Sequence, residues 1–112
     1  MRVHKAYTIV ETAEVSDCIA ESVKDHPRIE EVFEALKWRV ARDPDCGTMV
    51  EHEGTSFRLV LFAPIEAAKN SQVLAKYTVD DDIGEVVIHK VFVMAYDQAI
   101  AYSPKAFDLD AQ

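Results

Sequence analysis

Three cations in the second half of the chain have the most to offer chemically: Arg58, Lys76 and Lys90. Each sits in a run of alternating apolar residues, so each should project from a β-strand. Cations gathered on one sheet face hold phosphate, and they stabilise the charge that develops during phosphodiester cleavage. Alternation places Arg58 and Lys76 on the same predicted face, while the side of Lys90 depends on a register that sequence does not fix. Exposed strands also carry Lys and Arg for solubility alone, so the stripe has two readings. The histidines His4, His26, His52 and His89 are scattered. His52 and His89 fall on predicted strands near Glu51 and Glu53, and as neighbours they would suit a metal or a general base. No H-x-x-x-H spacing supports that, so surface or packed histidines are expected. Asp80, Asp81, Asp82 and Glu85 lack the alternating acids and placed glycine of a calcium loop and read as a solvated turn. No metal and no cofactor is expected.

The elements that must position these residues are short. The chain has 112 residues, the size of one domain, and 49% of them are hydrophobic. No run approaches the length of a membrane span, and the first residues lack the apolar stretch of a secretory signal. The expected compartment is the cytoplasm, with Cys18 and Cys46 as free thiols, Cys18 on a helix's apolar face and Cys46 in a turn. The formal net charge is −8. That balance repels a polyanion unless the few cations share a face, so nucleic-acid binding by the isolated protein is not expected.

Residues 5–10 alternate as a strand. Thr12 suits a helix cap, and Val15, Cys18, Ile19, Ser22 and Val23 keep helical spacing, which predicts a helix over 13–24. Pro27 ends it, with Asp25 as cap for a second helix striped by Ile29, Val32, Phe33, Leu36 and Val40. Trp38 lies off that stripe and would either widen the core face, the preferred reading, or stand exposed as a partner contact. Strands are predicted near 49–52, 57–62, 73–79 and 86–93, with turns at Glu53-Gly54 and 80–84. A short helix over 95–102 and a mobile tail over 103–112 complete a single domain spanning 1–102. The order is β-α-α-β-β-β with a short extra strand, which predicts an α+β fold: an antiparallel sheet, the helical hairpin on one face and the other face open. Phe57, Leu59, Leu61 and Tyr77 should share one core with the second helix. An open face carrying Val60, Phe62 and Leu74 would favour a homodimer or a partner.

The helical hairpin ending in Arg42-Asp43-Pro44, the strand Phe57-Arg58-Leu59-Val60-Leu61, the run 76–81 and the strand 86–91 together resemble the RelE/ParE toxin superfamily of toxin–antitoxin systems. The resemblance covers roughly 7–102. It implies the β-α-α-β-β-β fold, an antitoxin protein as partner, and either ribosome-dependent messenger-RNA cleavage against the open sheet face or action on DNA gyrase. Carried over, it makes Arg58 and Lys76 candidate phosphate contacts and Tyr96 or Tyr102 the match for a C-terminal catalytic tyrosine. Leu74 stands where the family carries an arginine, and Phe92-Val93-Met94-Ala95 follows the last strand where another is expected. Each missing phosphate clamp costs on the order of a hundredfold in rate, so weak or lost activity is expected. The alternative is a non-catalytic interaction or dimerisation module with no enzymatic role.

Overall fold

The structure is a computed structural model and describes residues 6–63 and 71–95. The predicted tail, the helix beyond Ala95, Tyr96 and Tyr102 lie outside the described residues.

Strand β1 (Thr8–Glu11) leads into helix α1 (Ala13–Ser22). The hydroxyl of Thr12 accepts the Val15 amide at 3.3 Å, which satisfies one donor that the first turn leaves free. Helix α2 (Ile29–Arg42) buries Ile29, Val32, Phe33, Leu36 and Val40, the predicted stripe. Its N-cap is Arg28, not Asp25, because the turn after α1 uses residues 23–27 to reverse the chain. Trp38 is 61% exposed, contrary to the expectation that it widens the core. The Arg42 guanidinium covers its ring at 4.0 Å from the centroid.

Four further strands follow: β2 (Thr48–His52), β3 (Thr55–Phe62), β4 (Ser71–Asp80) and β5 (Glu85–Ala95). β2 and β3 are joined through Glu53 and Gly54, both at positive φ, the geometry a two-residue hairpin favours. The sheet order is β1-β5-β4-β3-β2. The three pairings from β2 to β5 are antiparallel as expected, whereas β1 joins β5 in parallel. The sheet is therefore mixed. The helical pair carries the chain from β1 to the far edge, and three successive hairpins bring it back beside β1 in the same direction.

Both helices pack on one face. Val15, Ile19, Ile29, Val32, Phe33, Leu36 and Val40 bury Val73, Ala75, Tyr77, Val86, Ile88 and Val91 beneath them. Contrary to the expectation from sequence, Phe57 and Leu59 do not join this core but cluster with Leu74 and Met94 on the opposite face. Leu61, also assigned to the core, is 48% exposed. Register explains the difference. Val60 pairs with Ala75 and Phe62 with Val73, so the even-numbered side of β3 faces the helices. Both sides of β3 are apolar, and alternation alone does not tell which one is covered.

Two polar devices tie the layers. Glu11 on β1 accepts from Ser16 on α1 at 2.8 Å and from Lys37 on α2 at 3.1 Å. Burial pushes the Glu11 carboxyl up, but Ser16 and Lys37 together pull it below its ordinary value. The second device is the Tyr77 hydroxyl. It accepts the Gly47 amide at 2.9 Å and donates to the Pro44 carbonyl at 2.8 Å, while burial pushes its pKa up.

Tyr77→Phe should lower stability by about 1–3 kcal/mol, since it orphans a buried N–H and a buried carbonyl; urea unfolding reads this as a lower midpoint at unchanged slope. A second expectation concerns acid. A carboxyl with a depressed folded pKa stabilises above its unfolded pKa, and that contribution is lost as pH falls through the folded value. The wild type should thus lose more stability than Glu11→Gln on going from about pH 5 to about pH 3. Equal losses in parallel urea titrations would remove this role from Glu11.

Candidate functional site

Pairing across the ladder decides which of the three cations share a face. Arg58 stands opposite Tyr77, on the helix side. Lys76 stands opposite Leu59 on one flank and Lys90 on the other, on the side away from the helices. The expectation that Arg58 and Lys76 lie on one face is therefore corrected: adjacent positions on partner strands, 58 and 59 against 77 and 76, point to opposite sides. Lys90, whose side sequence left open, joins Lys76.

Arg58 is engaged with the link between α2 and β2. It donates to the Gly47 carbonyl at 2.7 Å and to the Asp45 carbonyl at 3.4 Å, and its guanidinium lies 3.3 Å from the Asp45 carboxylate. Together with Tyr77 it clamps residues 44–47 from the sheet below. Gly47 is required there, since a Cβ would meet the Tyr77 hydroxyl at 2.6 Å and the Leu59 carbonyl at 2.8 Å. Cys46 is half-buried, with Sγ 3.8 Å from the same hydroxyl. Cys18, also half-buried, lies 3.8 Å from the Val91 carbonyl. Both thiols pack against the sheet, and neither adjoins the lysines.

The face away from the helices is more closed than expected. Phe57, Leu59, Leu74 and Met94 are each less than one-tenth exposed, with Val50 and Phe92 packed against them. Lys76 Nζ lies 4.3 Å from the Phe57 ring centroid, and Lys90 Nζ 5.1 Å from that of Phe92. Each lysine lays its stem along apolar surface and holds its ammonium over an aromatic ring. Leu74 and Phe92, the residues standing at or near the family's expected arginines, pair directly on this face and carry no charge.

His52 and His89 are not neighbours. His52 lies on β2 and His89 on β5, with β3 and β4 between them. Among the described residues no group of His, Cys, Asp and Glu is arranged to hold a metal ion. His89 sits instead beside the lysines. Its Nε2 is 2.8 Å from the Thr78 hydroxyl, and burial, then the Lys76 charge, lower its pKa from the ordinary histidine value. Sequence reasoning passed over this placement of His89. The signal was a change of frame: the core residues of β5 run Val86, Ile88 and then Val91.

No family model matches the chain, and no curated protein matches it. Among solved structures it is similar to a chain of the toxin–antitoxin complex RelBE2 from Mycobacterium tuberculosis. The two are 21% identical, the match covers 87% of this chain and 100% of that one, and the TM-score is 0.62. The chain thus has an α+β, RelE-like fold. Among the described residues no helix is long and apolar enough to cross a membrane.

Arg58→Ala should act first on folding, losing about 1.5–3 kcal/mol as hydrogen bonds to a charged donor disappear, and Arg58→Lys should recover only part of it. Lys76→Ala, which removes no hydrogen bond among the described residues, should change stability by less than about 1 kcal/mol. Denaturant midpoints for the three variants check the order.

Proposed function

We propose that the protein is a divergent RelE/ParE-like toxin-family member of a toxin–antitoxin system, with weak or lost messenger-RNA cleavage. The RelE-like fold supports the lineage. The observation that carries the loss of activity is the charge of the sheet face away from the helices. Lys76 and Lys90 stand there beside apolar Leu59, Leu74 and Phe92, and Arg58 is on the other side. Ribonuclease chemistry through the RNA's own 2′-hydroxyl needs cations at the phosphate, and leucine or phenylalanine supplies none. A net charge of −8 also opposes approach to ribosomal RNA.

In this reading Lys76 is the phosphate contact, Lys90 joins it, and Tyr96 or Tyr102 keeps the tyrosine role that the resemblance implies. Arg58 is not carried forward as a phosphate clamp. An antitoxin is the expected partner, by analogy with the complex in which the similar chain was solved, and the cytoplasm is the expected compartment. The dimerisation-module alternative loses its main support, because Val60 and Phe62 pack toward the helices and Leu74 is only 8% exposed.

The test is induced expression in bacteria without any antitoxin. Growth should slow little or not at all, and Lys76→Ala should grow like the wild type. Strong arrest relieved by Lys76→Ala would show that cleavage is retained and that weak activity is wrong. Strong arrest indifferent to Lys76 would remove both the weak activity and the site.

A further inference from the structure

Strand β5 breaks its alternation once. Tyr77 pairs with Ile88 and Lys76 with Lys90, so His89 has no partner across the ladder. Ile88 and Val91 are both buried in the core beneath the helices, which leaves His89 and Lys90 as successive residues on the outer side. A bulge does this: it inserts one residue and re-aims a side chain. Thr78, which pairs with Val87 on that side, engages the imidazole.

The bulge completes an unusual charge arrangement. Lys76 and Lys90 stand directly opposite each other, and like charges so placed destabilise a ladder. The chain carries 20 Asp and Glu, yet among the described residues no carboxylate pairs with either lysine. The charged and titratable groups around His89 can be named by element. From β4 come Lys76 and, beyond Thr78, Asp80 at the hairpin end. From β5 come Lys90 and Glu85, the latter opposite Asp80. From β1 comes Glu11, bound by Ser16 and Lys37 on the helix side. From the helices, Cys18 and Lys37 approach the other face of the sheet. Two ammonium groups with no carboxylate partner among the described residues, and an exposed imidazole, are what a bound anion would neutralise.

We propose that Lys76, His89 and Lys90 form a proton-gated site for an RNA phosphodiester, in which the lysine pair supplies standing charge and protonation of His89 adds a third cation. The proposal deepens the functional reading above and rests on it for RNA as the carrier of the phosphate. Burial, then the Lys76 charge, favour the neutral ring of His89. A bound phosphodiester favours the protonated ring, so by linkage its affinity rises as pH falls through the His89 pKa.

The probe is a five-uridine RNA with hydroxyl ends, whose phosphodiesters keep one negative charge each across the range. It is titrated into the full chain at low ionic strength and followed by amide NMR at about pH 7.5 and about pH 5.5. Affinity should rise at least about tenfold on acidification, with perturbed amides centred on 76–78 and 87–90. His89→Gln should lose the gain on acidification, whereas Lys76→Gln and Lys90→Gln should weaken binding at both pH values while keeping a gain. A gain that survives His89→Gln, no gain in the wild type, or perturbations elsewhere would overturn the site. Cell growth separates the two readings. Weak arrest with pH-independent RNA affinity removes only the gated site, and strong arrest with the gain intact removes only the weak-activity reading.

Discussion

Everything in this fold leans on one buried hydroxyl. Tyr77 stands at the middle of the sheet with no exposed surface, and its phenolic oxygen passes through the core to the link between α2 and β2. There it closes two backbone groups that would otherwise be buried without partners, a cost comparable to much of a small domain's margin. Its cross-strand neighbour Arg58 holds the same link from the side through Gly47 and Asp45. The pair fixes where α2 stops and where β2 begins, and so sets the register of the three hairpins that follow. The absence of a side chain at Gly47 is part of the same contact, since the hydroxyl occupies the space a Cβ would need.

With Arg58 spent on the scaffold, the outer face is left to two lysines, a histidine and a floor of apolar side chains. Their placement is a compromise between solubility and exposure of aromatic surface. Phe57 and Phe92 would be poor residues to present to water, and the lysine ammonium groups over their rings shield them while staying hydrated. A sheet built this way has two cores, one under the helices and a thinner one beneath the cations.

Much of the architecture was legible in the chain itself. The α2 stripe, the Thr12 cap and the turns at Glu53-Gly54 and 80–84 follow from spacing and from residues with special backbone freedom. What stayed hidden depended on which side of a strand the helices choose. β3 is apolar on both sides, so alternation puts Arg58 on the face of Lys76, whereas it pairs with Tyr77 on the helix side. Trp38 looked like core because large aromatics usually are, but here arginine stacking covers the ring. The outer position of His89 required seeing the frame change between Ile88 and Val91, which is written in the residues yet easily passed over in so apolar a strand.

The parallel join of β1 to β5 has a temporal side. Among the described strands, the first to be synthesised finds its neighbour only in the last, 77 positions along by the pairing of Thr8 with Glu85. Between them the hairpins β2–β3, β3–β4 and β4–β5 can each form from neighbouring segments, with short loops to close. β1 and the helix that follows it have no sheet to rest on until β5 is in place, because α1 packs chiefly on that strand. The sheet is therefore closed by the first and last of its described strands. A chain halted before Glu85 would hold a finished hairpin or two and an N-terminal third with its apolar side uncovered, a natural target for proteases and chaperones.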